Sequence, residues 1–237
     1  MRIEECGDWP PTRVLGDNAR FANCQSCHAS QATLALDSAS ARYATRLSSL
    51  AINCESCHGP GRRHVELAQR GMFAATADLG LASLAVLDKD ASSRVCYQCH
   101  AIKDQLRDGF LSGDSLEVYY SLKFPLLGDR PLFADGRVRT FAYQEGQQYS
   151  DCYRNGGMTC TSCHDPHSQT YRDALGTPLP GRFDDRQCTS CHASKAERPT
   201  NHTRHRAGST RCTSCHMPLR QEPETRAAAA RFTSAAV

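Results

Sequence analysis

Six segments share one arrangement of reactive side chains: two cysteines three residues apart, with a histidine directly after the second. They are Cys24/Cys27/His28, Cys54/Cys57/His58, Cys96/Cys99/His100, Cys160/Cys163/His164, Cys188/Cys191/His192 and Cys212/Cys215/His216. Together they use twelve of the fourteen cysteines and six of the ten histidines in a chain of 237 residues. Paired Cys-x-x-Cys also builds zinc ribbons, but zinc gives no reason for a histidine after every second cysteine. Cys-x-x-Cys-His is the attachment signature of c-type haem. Both sulfurs become thioethers on the porphyrin edge, and the histidine reaches the iron from one face. The sequence therefore predicts six covalent haems c, with the twelve motif cysteines as attachment points and the six motif histidines as proximal iron ligands.

Four further histidines are candidate distal ligands. In Cys163-His164-Asp165-Pro166-His167 the second histidine follows too closely to serve the same iron. Three residues of extended chain reach at most about 10 Å, short of the roughly 12–13 Å between the α-carbons of two axial histidines. His167 is expected on a neighbouring haem; the competing reading is a turn histidine capped by Asp165. Gly59-Pro60-Gly61 breaks the chain, and a helix is expected from near Arg62 with His64 in its first turn. His64 then serves a different haem, or else it is a surface histidine beside Arg62 and Arg63. His202 and His205 lie three apart. One is expected to bind iron and the other to hydrogen-bond or act as a second ligand, with the sequence leaning to His205.

Six irons take up to twelve axial ligands, and ten histidines leave two sixth positions unassigned. Those irons take methionine, stay open, or receive a ligand from outside this chain. Met72 and Met158 are candidates, although methionine is more often core filler. Met217 is too close to His216 to lie across the same iron. A saturated iron suits electron transfer, and an open one admits a small molecule.

The elements that must position these groups are short. Six haems leave about 40 residues each. With 7 % aromatics and a mean hydropathy of −0.53, much of the apolar interior must be porphyrin. The haem-free chain is expected to be largely unfolded, because cofactor binding here is folding free energy. The predicted fold is mainly α with extensive loops, organised around stacked covalent haems. Helices are expected at 31–50, at 91–105 around the third motif, and at 138–154. Tyr119, Tyr120, Tyr143, Tyr149 and Tyr153 read as packing against porphyrin rather than as the edge of a substrate pocket. The expected organisation is an irregular segment at 1–20, a six-haem domain at 21–220, and an Ala-rich tail at 221–237, helical or frayed. Cys6 and Cys152 stand outside the motifs; a disulfide between them is one option that spacing leaves open.

Formal charge is +3, and two propionates per haem make the oxidised holoprotein mildly acidic. Basic residues are scattered and lack interleaved aromatics, so nucleic acid is not an expected partner. No stretch approaches the roughly 18 apolar residues of a membrane span; the most apolar piece, Leu79 to Leu87, is too short. The N-terminus has no apolar signal core, yet c-type haem is normally attached outside the cytoplasmic membrane. The expectation is a periplasmic or otherwise extracytoplasmic protein, and a fragment of a longer one.

Cys54–His64, Cys160–Ser168 and Cys212–Pro218 resemble the multihaem cytochromes of the hydroxylamine oxidoreductase-like superfamily, in the branch often fused to tetratricopeptide repeats. The superfamily includes a four-haem carrier that accepts electrons from hydroxylamine oxidoreductase. The resemblance spans about residues 20–220 and implies a helical, loop-rich, haem-stacked fold. It implies distal ligation by His64 and His167. In that branch a further haem-binding segment usually precedes the region matching Cys24, which is the ground for expecting a fragment. Three roles follow: an electron carrier with unknown donor and acceptor proteins, an oxidoreductase of small nitrogen or sulfur compounds at one open iron, or one unit of a filament associating with other haem proteins. There is no Cys-x-x-Cys-Lys site of the nitrite reductase type.

Overall fold

The computed structural model describes residues 29–33, 36–43, 46–50, 52–72, 78–101, 103–122, 147–206, 208, 210–217, 219–221 and 229–231. The first motif (Cys24, Cys27 and His28), Cys6, Tyr143 and residues 138–146 of the expected third helix lie outside them. The chain falls into two compact units, Met1–Phe124 and Pro125–Val237, and the expected 21–220 domain spans both.

The first unit opens with nested hairpins. β1 (Ala29–Thr33) pairs antiparallel with β4 (Arg46–Leu50), and β2 (Leu36–Asp37) pairs with β3 (Arg42–Tyr43) inside them. This replaces the helix expected at 31–50. The Asp37 carboxylate accepts from the Ala39 N–H at 3.0 Å and the Ser40 hydroxyl at 2.6 Å, and Ala41 turns at φ 53°. Such local side-chain bonds give the backbone an alternative to helix, and this Ala- and Ser-rich stretch has no strong apolar stripe to oppose them.

Two helices follow, α1 (Cys54–His58) and α2 (Arg62–Gln69), the latter starting where the Gly-Pro-Gly break places it. After a 3₁₀ turn at Leu84–Val86, α3 (Lys89–His100) begins where Asp88 accepts from the Ala91 N–H at 2.7 Å. It ends at the third motif histidine, one residue past Cys99, rather than continuing to 105. Ala101 is extended, and β5 (Lys103–Gln105) pairs antiparallel with β6 (Tyr120–Leu122), which follows the single turn α4 (Leu116–Tyr119).

The core of this unit sits directly behind the third motif. Tyr97, from between that motif's cysteines, packs with Ala101, Phe110 and Leu116, flanked by Tyr119, Tyr120 and Leu122. The Phe110 ring meets Tyr119 and Tyr120 edge-on, at centroid distances of 5.7 and 6.0 Å. Those two tyrosines pack against the protein core.

In the second unit the helix expected at 138–154 is interrupted: Ser150 is extended and its hydroxyl caps α5 (Asp151–Arg154) by accepting from the Tyr153 N–H. A 3₁₀ turn at Cys160–Ser162 leads into the antiparallel sheet β7 (His164–Asp165), β8 (Thr170–Arg172) and β9 (Pro178–Leu179). Four short helices follow: α6 (Arg186–Thr189), α7 (Ala193–Glu197), α8 (Pro199–Thr203) and α9 (Cys212–His216). β10 (Leu219–Gln221) pairs with β11 (Ala229–Arg231), a backbone pairing that alanine content cannot announce. Tyr153 and Leu179 are buried here, while Tyr149 is exposed.

The described architecture is therefore short helices and small antiparallel sheets joined by loops, with more strand than the sequence led us to expect. Among the described residues no helix is long and apolar enough to cross a membrane. Leu116 is fully buried in the principal core, and Leu116→Ala should cost about 2–5 kcal/mol. Chemical unfolding of the holoprotein followed by far-UV circular dichroism should show the lowered midpoint; an unchanged midpoint would mean that this cluster is not a structural core.

Candidate haem-binding sites

Each described motif begins on a helical turn, and in two of them the same device closes that turn. In α1 the Asn53 side chain accepts from the Ser56 N–H at 3.2 Å, while the Asn53 N–H donates to the Ser56 hydroxyl oxygen at 3.0 Å, a capping box. At the fourth motif the Thr159 N–H donates to the Ser162 hydroxyl oxygen at 3.1 Å. In both cases the serine is the residue just before the second cysteine. One turn sets residues three apart on the same side, so both sulfurs face one way. Two thioethers on one porphyrin edge require that placement. Among the described motif cysteines, Cys57, Cys96, Cys99, Cys160, Cys163, Cys188 and Cys212 are half-buried, while Cys54, Cys191 and Cys215 are exposed. None is sealed inside the protein, as attachment to a porphyrin edge requires.

Cys99 departs from the capped-turn pattern. It lies in the last turn of the twelve-residue α3, behind Gln98 rather than a capping serine. The six copies are therefore not the equivalent sites that their spacing suggests: the third motif is held by a full helix, because Tyr97 between its cysteines is anchored in the core.

The second motif and His64 are held by one loop. Ala82 bonds His58 twice: its N–H donates to the His58 carbonyl at 2.9 Å, and its carbonyl accepts from the His58 ring at Nδ1, 2.7 Å away. Three residues earlier, the Leu79 carbonyl accepts from His64 Nδ1 at 2.8 Å. In each ring the proton is fixed on Nδ1, so Nε2 carries the lone pair, the tautomer that an iron ligand needs.

The loop itself is braced by Asp78. This carboxylate accepts from the Gly80 N–H at 2.8 Å and from Arg63 at 2.7 Å, and these bonds, the Gly80 one foremost, hold it below the ordinary aspartate range. Gly80 has φ +70°, and a Cβ there would meet the His64 backbone nitrogen at 2.7 Å and the Arg63 carbonyl carbon at 2.8 Å. Only glycine lets the loop come this close to α2. From the sequence alone, residues 79–87 are only an apolar run too short for a membrane span.

Gln98 joins the second and third motifs. It is buried, and its amide donates to the Ser56 carbonyl at 2.7 Å and to the Val95 carbonyl at 2.8 Å. The other five motifs have serine at this position, a departure that could have flagged it. Ser112 also donates to the Cys57 carbonyl. The two motifs lie close enough to interact electrostatically: burial, then Cys96 and Cys54, push the Cys57 thiol up. His100 ends α3 on the surface.

In the second unit, burial followed by Cys152 and Cys191 raises the Cys163 thiol. Burial, Cys212 and Cys163 push Cys188 up to about 12. The fourth, fifth and sixth motifs are thus neighbours through their sulfurs. Asp185 fastens the last two, accepting from the Cys212 N–H at 2.9 Å. Cys152 is exposed; the pairing with Cys6 that spacing left open lies outside the described residues.

His164 lies on β7 with its ring 5.0 Å from that of Tyr171. Surrounding protein lowers its pKa by desolvation, which favours the neutral, ligating form. Asp165 organises the next turn, accepting from the His167 N–H at 3.0 Å and the Ser168 hydroxyl at 2.7 Å. It therefore holds the backbone of His167 and leaves the ring 81 % exposed. His192 and His205 are exposed, and His202 faces His216 with their Nε2 atoms 3.4 Å apart. Of the methionines, Met72 is exposed, while Met158 and Met217 are half-buried.

These residues fit haem c: sulfurs on helical turns, rings with Nε2 presented, and exposed apolar Ile52, Val65 and Leu79 beside the second motif, α2 and its loop. Among the described residues no three His, Cys, Asp or Glu side chains gather to hold a bare metal ion.

Two family models match the chain. The doubled CXXCH motif matches residues 153–197, and cytochrome c554 and c-prime matches residues 12–59. No curated protein matches. Among solved structures, the outer cell wall cytochrome OcwA is similar at a TM-score of 0.51 and 17 % identity, a likeness of fold alone. The match covers 88 % of this chain and 55 % of that one, so the chain spans about half the length of that cytochrome.

Gly80→Ala should cost about 1–3 kcal/mol and loosen His64. Carbon monoxide should then bind one more ferrous iron than in the wild type. Gly113→Ala also strains a positive φ, but its Cβ would meet only Leu87, at 3.8 Å; that variant should destabilise without a gain in carbon monoxide binding. Equal carbon monoxide binding in both would show that the 78–82 loop does not position a ligand.

Proposed function

We propose that this chain, a multihaem c-type cytochrome, carries electrons through six covalently attached haems outside the cytoplasmic membrane, between a donor and an acceptor protein. The observation that supports this most is the nearness of the motifs. Gln98 of the third motif donates to the Ser56 carbonyl of the second at 2.7 Å, and Asp185, which begins the helix of the fifth motif, accepts from the Cys212 N–H of the sixth at 2.9 Å; beside burial, Cys96 raises the Cys57 thiol and Cys212 and Cys163 raise that of Cys188. Motifs held this close would bring their porphyrins near one another, the arrangement electron transfer needs.

When bound, haem c supplies a one-electron ferric/ferrous couple at each site. The chain's own residues do the rest. The twelve motif cysteines fix the edge and orientation of each ring. His28, His58, His100, His164, His192 and His216 would each hold the iron of their own motif, and His64 and His167 would hold that of a neighbouring one. The Leu79 and Ala82 carbonyls orient His64 and His58 and strengthen them as donors. Axial ligand type and burial then set the potentials. The match of residues 12–59 to cytochrome c554 and c-prime supports placement beside the electron-carrying members of the hydroxylamine oxidoreductase-like superfamily.

One observation favours a second reading. Ten histidines serve twelve axial positions, so an open iron could make the protein an oxidoreductase of small nitrogen or sulfur compounds. Reductive titration of the holoprotein, followed optically, separates the two. The carrier should take up six electrons per chain reversibly and show no steady-state turnover of hydroxylamine, nitrite or sulfite. Turnover of any of these would favour the enzyme, and uptake of fewer than six electrons would contradict the six-haem count.

A further inference from the structure

His202 and His205 are the histidines that spacing cannot separate. The backbone separates them. α8 ends at Thr203, and Arg204 takes the left-handed conformation, φ 59° and ψ 12°. Two residues three apart share a face only while the helix continues, so this break sends them in different directions. His202 stays on the helix. His205 lies on the departing chain, where its N–H donates to the Thr203 hydroxyl oxygen at 3.1 Å.

Facing His202 is His216, the histidine of the sixth motif, at the end of α9. The two Nε2 atoms are 3.4 Å apart, the ring centroids 5.7 Å, and the ring planes differ by 8°. The difference between the two distances is just what two imidazole radii supply. That is possible only when both nitrogens lie on the line joining the ring centres. The rings therefore meet head-on, Nε2 to Nε2, rather than face to face.

A hydrogen bond between the rings would sit nearer the 2.7–3.2 Å range of good donors. Imidazole nitrogens bind metals at about 2.0–2.1 Å, so two across one iron stand about 4 Å apart. Opening this pair by well under 1 Å creates that gap without turning either ring.

We propose that His202, and not His205, is the distal axial ligand at the Cys212/Cys215/His216 site. This rests on the haem reading above. The assignment closes the sixth haem with a bis-histidine pair whose ligand planes are nearly parallel.

The test uses the full-length holoprotein, with haem at each motif established by peptide mass. His202→Ala should bind one more equivalent of carbon monoxide in the ferrous state than the wild type. It should also lose one rhombic low-spin signal from the ferric paramagnetic resonance spectrum, with added imidazole restoring it. His205→Ala should match the wild type in both. In a chain lacking the sixth haem, through Cys212→Ala and Cys215→Ala, the His202 substitution should change neither readout. Should His202→Ala fail to mature, His202→Met supplies a substitute ligand and should show the red charge-transfer band of methionine-bound ferric haem. A fully loaded His202→Ala with no added carbon monoxide binding, a loaded His202→Met without that band, or a gain in His205→Ala would overturn the assignment. A wild type with no haem on Cys212 and Cys215 would instead show that the haem reading itself fails at this site.

Discussion

Two sulfurs and one imidazole must meet a single porphyrin, and a chain that does this repeatedly has little freedom left. The requirement fixes a turn at each motif, with both cysteines on one side and the histidine just beyond. What remains is short connecting structure: strands of two to five residues and, among the described residues, no helix longer than the twelve of α3. A buried cluster stands behind the third motif, and one of its members, Tyr97, comes from inside that motif, between Cys96 and Cys99. Core and cofactor site are built from the same residues.

The surrounding backbone acts as the outer layer of each site. In the first unit a single loop supplies the carbonyls that orient His58 and His64, while Gln98 ties the third motif to the second at the Ser56 carbonyl and Ser112 holds the second at the Cys57 carbonyl. In the second, Asp165 shapes the turn carrying His167, and Asp185 fastens the sixth motif to the fifth. These bonds join polar groups in loops, so the ligand geometry depends on many modest hydrogen bonds, each worth about 0.5–1.5 kcal/mol, more than on one large apolar core. Covalent attachment supplies the strength that such loops lack.

The motifs were legible in the sequence because their chemistry is local: sulfur, sulfur and imidazole within five residues. The helix carrying His64 was legible for the same reason, since Gly-Pro-Gly is a local break. The partner carbonyls were not. Ala82 lies 24 residues from His58, and nothing in an apolar run marks it as a histidine acceptor. The nested hairpins were missed because Asp37 and Ser40 close a turn that composition alone does not weigh. In the tail, Ala229–Arg231 pairs as a strand with Leu219–Gln221, which alanine content does not announce. Spacing contains no record of where α8 ends, so it could not separate His202 from His205; the left-handed Arg204 sends the two in different directions.

The central claim is that six haems are covalently bound and that the fold is built around them. The mass of the intact, purified holoprotein tests this most directly, with peptide mapping to place each group. The account predicts an increment of six haems, with all twelve motif cysteines as thioethers and Cys152 unmodified. A smaller increment with unmodified motif cysteines, in a protein that is nonetheless folded by circular dichroism, would contradict it.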